Sequence, residues 1–122
     1  MQQVALIVED DAGLQTLYDR ILTTAGFEVV ITTDGEQALE ALEHLTPDLI
    51  FLDILLPKLN GRAVLEYIVT VPELAKTHIA VVSSNQSFFD YTPDLPHIEY
   101  IIKPILPEQI RSIATRVRRT PA

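Results

Sequence analysis

The chain has 122 residues, 48% of them apolar, no cysteine, and a formal net charge of −8. That length suits one domain, read here as residues 1–122, with a core that needs no staples. The apolar content excludes a disordered chain, and the lack of thiols excludes disulfides and thiolate metal centres. Charge is unevenly placed: residues 1–110 carry all 17 acids and only five Lys or Arg, whereas residues 111–122 carry four Arg and no acid. An acidic body argues against direct nucleic-acid contact, which relies on basic surface. The arginines suit the last turns of a terminal helix, where they oppose its dipole; the sharper alternative is a junction to a further domain.

In chain order, Val4–Val8 is an unbroken apolar run that reads as a first strand buried on both faces. The run is too short for a signal-peptide core, and no stretch approaches the ~20 apolar residues of a membrane span, so a soluble, cytoplasmic chain is expected. Leu14, Leu17, Tyr18, Ile21, Leu22 and Ala25 follow helical spacing, with Asp11 as N-cap and Gly26 as the stop. Glu28–Thr33 is more mixed and reads as an edge strand. Asp34 then caps a second helix, with Gln37 three residues on and Ala38, Leu39, Leu42 and Leu45 as its apolar set. Leu49–Leu52 is a second buried strand. Gly61 precedes a third helix with Val64, Leu65, Ile68 and Val69 inward, and Ile79–Val82 is a third buried strand. Ile98–Ile102 is a second edge-like strand. Pro107 opens a last helix whose inward residues are Ile110, Ile113, Ala114 and Val117.

Strict alternation of strand and helix implies an α/β fold with a doubly wound five-stranded parallel sheet and right-handed crossovers. Two peripheral-looking strands, the second and fifth, fit the flavodoxin-like order 2-1-3-4-5. Between Asn85 and His97 the pattern falters. Pro93 and Pro96 lack amide hydrogens and clash with a preceding helical turn, so the fourth helix is expected to be short or irregular.

Ligands of open α/β sheets sit beyond the carboxyl ends of the strands. There the sequence places Glu9, Asp10 and Asp11 after the first strand, Asp53 after the third, Ser83 and Ser84 after the fourth, and Lys103-Pro104 after the fifth. Carboxylates gathered on one rim repel one another unless a cation joins them. Without thiols or a histidine cluster, the fitting cation is hard and oxygen-liking, which describes Mg²⁺, with Mn²⁺ possible. A carboxylate beside such an ion and a lysine is equipped to act as a nucleophile toward phosphorus.

Leu6-Ile7-Val8-Glu9-Asp10-Asp11, Pro47 to Pro57 around Asp53, Gly61, Val82-Ser83 and Tyr100-Ile101-Ile102-Lys103-Pro104 together resemble the response-regulator receiver family of two-component signalling, the chemotaxis-regulator-like fold. The resemblance runs through almost the whole chain and is weakest between Ser84 and His97. It implies that Asp53 is the phosphoacceptor, a phosphoprotein site carrying an aspartyl phosphate. It implies metal binding by Asp10, Asp53, the Leu55 carbonyl and Glu9, the last through water. Ser83 matches the switch hydroxyl, Lys103 the phosphate-contacting lysine, Tyr100 the aromatic switch, and a cis peptide is implied at Lys103–Pro104. Ser84 departs from the small residue usual beside the phosphoryl group, which narrows access there.

The implied function is phosphorelay: Mg²⁺-dependent transfer from a sensor histidine kinase or a histidine phosphotransfer protein to Asp53, switching a surface for a downstream protein. Such a domain promotes only its own phosphorylation and dephosphorylation and is otherwise no enzyme. The competing reading is a receiver-fold interaction module that is never phosphorylated. An aspartyl phosphohydrolase would need an acid two residues past the nucleophile, where Leu55 stands, and a flavin phosphate would be repelled by Glu9-Asp10-Asp11. His44, His78 and His97 share no ligand spacing and read as surface residues. Phe88, Phe89 and Tyr91 read as cover for the sheet.

Overall fold

The computed structural model describes residues 2–55, 60–85 and 96–119. Five strands, β1 (Val4–Val8), β2 (Glu28–Thr32), β3 (Leu49–Asp53), β4 (His78–Ser83) and β5 (Ile98–Ile102), form one parallel sheet in the order β2-β1-β3-β4-β5. The described residues also hold four α-helices, α1 (Ala12–Thr24), α2 (Gly35–Leu42), α3 (Gly61–Thr70) and α4 (Pro107–Arg119), and one 3₁₀ turn, Pro72–Leu74. The doubly wound order and both edge strands therefore agree with the sequence. The Asn85–His97 stretch, with its expected short or irregular helix and Phe88, Phe89 and Tyr91, lies largely outside the described residues.

Alternation along the buried strands explains their unbroken apolar runs. Ala5, Ile7, Leu49, Phe51, Ala80 and Val82 face a core shared with Tyr18, Ile21 and Leu22 of α1 and Ile110, Ile113, Ala114 and Val117 of α4. Their neighbours Leu6, Val8, Ile50, Leu52, Ile79 and Val81 face the opposite core, built with Ala38 and Leu42 of α2 and Val64, Leu65 and Ile68 of α3. Each central strand is thus sealed on both sides, the usual state of a parallel sheet. Val69 does not join the inward set and is 38% exposed. It lies on the far shoulder of the stripe centred between Val64 and Leu65, where a 100° step per residue carries it past the sheet. Leu45 also falls outside its expected helix, because α2 stops at Leu42 and Leu45 sits in the turn that follows, its N–H reaching Ala41 O at 3.0 Å.

The helix starts follow side-chain caps. Asp11 accepts from Leu14 N–H, Asp34 from Gln37 N–H and Asn60 from Ala63 N–H, each satisfying an amide that the first turn leaves unpaired. Gln37 answers by accepting from Thr33 N–H rather than from the cap itself, a capping box displaced by one residue. Gly26 takes the left-handed φ of 100° that ends α1.

Candidate functional site: an acidic pocket at the strand ends

Parallel order puts the carboxyl ends of β1, β3, β4 and β5 along one rim, and the lead residues of three loops converge there. Asp53 is the last residue of β3, one position further along the strand than its apolar run, and is buried. Glu9 and Asp10 leave β1, the first buried and the second exposed. Carboxylate oxygens of Glu9, Asp10 and Asp53 lie within 4.8 Å of one another. Lys103, in the turn after β5, donates from Nζ to Asp53 Oδ2 at 2.9 Å, and the Leu55 N–H donates to Asp53 Oδ1 at 3.1 Å. One oxygen of the Asp53 carboxylate is therefore held by a charge and the other by an amide.

The electrostatics are those of crowded acids with one cation. Burial pushes the Glu9 carboxyl up from 4.5 to about 7. The Asp11 N–H that it accepts at 3.1 Å works against that rise, and the Asp53 charge works with it. Burial pulls the Lys103 ammonium down, but the hydrogen bond and charge of Asp53, with the charges of Glu9 and Asp10, more than reverse this and raise it. Beneath the pocket Tyr18 packs its ring on Phe51, centroids 4.9 Å apart. Burial raises its phenol well above the usual range, and the charges of Glu9 and Asp53 add to the effect.

The other residues singled out in the sequence lie nearby or apart. Ser83 ends β4, buried, on the same rim; its carbonyl accepts from Lys103 N–H at 2.9 Å and its hydroxyl from Asn85 N–H at 3.1 Å. Ser84 is exposed. The Leu55 side chain is 69% exposed, so its backbone alone faces Asp53. Tyr100 is half-buried in the middle of β5, packed against the core under α2 and α3. The Lys103–Pro104 bond is cis, as the resemblance implied. Asp11 caps α1, as expected. His44 is exposed, but His78 is not the surface residue expected: it is half-buried at the other end of the sheet and paired with Glu99.

One participant escaped the sequence reading, and another was singled out there without its contact. Gln15 donates to the Glu9 carbonyl at 2.6 Å, and Gly61 closes the loop after Asp53 by donating its N–H to Ile54 O at 2.9 Å. For Gln15 the available signal was a polar, uncharged residue between Leu14 and Leu17 on the sheet side of α1. Gly61 already stood in the pattern that carries the family resemblance, and the structure adds its bond to Ile54.

A doubly wound sheet with converging carboxylates and one lysine at its carboxyl rim defines a small α/β domain built around a cation-seeking acidic pocket. The chain matches the profile of the response regulator receiver domain over residues 5–115 and belongs to that family. It is 35% identical over 127 residues to the DNA-binding response regulator MtrA of Mycobacterium tuberculosis, covering 98% of this chain and 52% of MtrA. It thus spans about half the length of the curated relatives it matches. The chemotaxis response regulator CheY4 of Vibrio cholerae shares the fold, with a TM-score of 0.83 over 96% of this chain and 99% of that one at 22% identity. The receiver domain of the sensor histidine kinase PA1611 of Pseudomonas aeruginosa, solved with a magnesium ion in its active site cleft, superposes with a TM-score of 0.83. It is 25% identical and is covered in full by 98% of this chain. Relatives named as DNA-binding leave the expectation of no nucleic-acid contact without support. No helix among the described residues is long and apolar enough to cross a membrane.

Proposed function

We propose that the chain is a phosphoacceptor: Asp53 receives a phosphoryl group from a phosphohistidine of a sensor histidine kinase or a histidine phosphotransfer protein. The observation that carries this reading is the convergence of Glu9, Asp10 and Asp53 within 4.8 Å, with Lys103 on Asp53. The donor set is all oxygen, two of its acids are buried, and burial already resists the ionisation of Glu9. A hard divalent cation, Mg²⁺ or Mn²⁺, fits such a set. Asp10, Asp53, the Leu55 carbonyl and Glu9 would hold it, Glu9 through water, and when bound it supplies charge neutralisation on the transferring group.

The chain's own residues do the rest. An Asp53 oxygen forms a bond to phosphorus as the phosphorus–nitrogen bond of the donor breaks, and the electron pair leaves with the imidazole. The Leu55 N–H keeps the Asp53 carboxylate oriented. Lys103, raised and therefore protonated, stands ready to move from the carboxylate to a phosphoryl oxygen. The Ser83 hydroxyl is placed on the rim to donate to another, with Tyr100 as the aromatic that follows it when the output surface switches. No outside metabolite is turned over; the domain acts in the cytoplasm on its own phosphorylation and hydrolysis.

The test is phosphorylation by a small phosphodonor such as acetyl phosphate with Mg²⁺, followed by mass-spectrometric location of the label. Asp53→Asn is expected to abolish the alkali- and hydroxylamine-labile labelling of an acyl phosphate while keeping the fold; undiminished labelling of that variant refutes the assignment. Mg²⁺ is expected to raise the melting temperature, since a ligand of the native state alone stabilises it, and Asp10→Asn to remove most of that gain. A melting temperature indifferent to millimolar Mg²⁺ would contradict the metal site.

A further inference from the structure

A peptide unit is planar, so fixing its carbonyl also fixes the direction in which the next residue departs. The unit that joins Glu9 to Asp10 has its carbonyl on Glu9, and that oxygen accepts from Gln15 Nε2 at 2.6 Å. Gln15 lies in the first turns of α1 and is half-buried. The turn around it is held by other bonds: Glu9 N–H to Thr32 O at 3.0 Å, Asp11 N–H to the Glu9 carboxylate at 3.1 Å, and Leu14 N–H to the Asp11 carboxylate at 2.8 Å. Those bonds secure Glu9 from below and α1 from above. None of them grips the carbonyl between the two acids.

We propose that Gln15 is a positioning residue for the acidic pocket: its amide locks the Glu9–Asp10 peptide and so holds the Asp10 carboxylate where it meets those of Glu9 and Asp53. The inference rests on the reading of that pocket as a Mg²⁺ site. Asp10 is the exposed member of the three acids. It has the least packing to hold it, so its direction depends most on the backbone that carries it. With the donor gone, the Glu9 carbonyl is free to turn toward water, and the Asp10 carboxylate must be ordered each time the cation binds.

The experiment compares the wild-type chain with Gln15→Leu, of similar bulk and without a donor. Mg²⁺ affinity is read by calorimetric titration, and the Asp10 backbone amide by NMR in the metal-free protein. One neutral hydrogen bond sets the scale, so Mg²⁺ should bind about two- to tenfold more weakly to the variant. The Asp10 amide resonance should shift or broaden while amides in the sheet core stay put. Gln15→Arg restores a donor and is expected to return the Asp10 amide toward its wild-type position in the metal-free state. Gln15→Met, which keeps the length without the donor, serves in place of leucine if that variant folds poorly. Unchanged Mg²⁺ affinity in the donorless variants, or weaker affinity with an undisturbed Asp10 amide, overturns the inference and leaves the pocket's function standing. A wild-type chain that binds no Mg²⁺ overturns both.

Discussion

The two ends of the sheet treat their acids in opposite ways. At the amino end Asp48 accepts from Val4 N–H at 2.8 Å, and Glu99 bridges Arg116, at 2.9 Å, and His78. At the carboxyl end Glu9, Asp10 and Asp53 converge with Lys103 as their cation. The consequence shows in two glutamates that begin from the same value of 4.5. Burial drives Glu9 up to about 7. Burial also pushes Glu99 upward, but its hydrogen bonds to Arg116 and His78 win and bring it down. A cavity of about 700 Å³ opens at the amino end, lined by both signs of charge, among them Asp48, Glu73, Lys76 and Arg116. Volume therefore does not mark the site here. Uncompensated charge does, because it is what a cation or a phosphoryl group can complete.

The contrast is sharpest to break at Gly61, where the carboxyl end depends on backbone contact. A Cβ built there would lie 2.3 Å from Asp53 O and 2.6 Å from the Ile54 Cα, distances that only a backbone shift relieves. Gly61→Ala is expected to cost about 3 kcal/mol, the upper end for overpacking, and to weaken Mg²⁺ binding as well, since the atoms that move carry Asp53. Denaturant unfolding and Mg²⁺ titration check this; a variant with wild-type stability and wild-type Mg²⁺ affinity would show that the loop yields without disturbing the acid.

A second test separates the two ends by pH. A carboxyl whose folded value is raised is protonated in the fold while already ionised in the unfolded chain. Glu9 therefore contributes fully below about pH 4.5, and that contribution is lost as pH climbs through about 7. Without Mg²⁺ the melting temperature should fall over that window. Glu9→Gln should flatten the fall, a gain of about 1–2 kcal/mol at pH 7.5 after allowance for solvent and neighbouring charge. Mg²⁺ should flatten it in the wild type too, by offsetting the ionised acids. Parallel curves for wild type and Glu9→Gln would mean that Glu9 ionises in the fold without penalty.

How much of this was legible in the sequence follows the range of the interactions. Strand order and both cores could be read because buried parallel strands write their status as apolar runs, Val4–Val8 and Leu49–Leu52 among them. The rim could be read because the topology rule places whatever follows each strand, which brings Asp53, Asp10, Glu9, Ser83 and Lys103 to one edge of the sheet. Val69 misled because an apolar residue on the shoulder of a helix looks the same in sequence as one at its centre. Gln15 stayed hidden because a side chain reaching a carbonyl leaves no periodic trace; Gly61 was legible as a position in the family pattern, but its constraint was not, because that is a distance to the backbone of another segment. His78 stayed hidden for a third reason. Its partner Glu99 sits 21 positions away on β5, so no local spacing announces the pair.

That pair gives the smallest of the expected effects and the opposite sign. Glu99 is held below its ordinary value, so its contribution is present above about pH 4.5 and is lost as pH falls through its lowered folded value. Removing its charge with Glu99→Gln should therefore weaken the fold at neutral pH and matter less as the solution becomes acidic. The Arg116 side chain is 53% exposed, so the ion pair is screened and the loss should stay under about 1 kcal/mol. His78 shares the same carboxylate from β4 while Arg116 reaches it from α4, so the lost contacts tie the last helix to the sheet edge and not to the acidic pocket. Mg²⁺ affinity should accordingly be unchanged in Glu99→Gln, measured in the same titration that reports on Gly61→Ala. Weakened Mg²⁺ binding would show that the two ends are coupled through β4 and β5, and the separation drawn between them would fail.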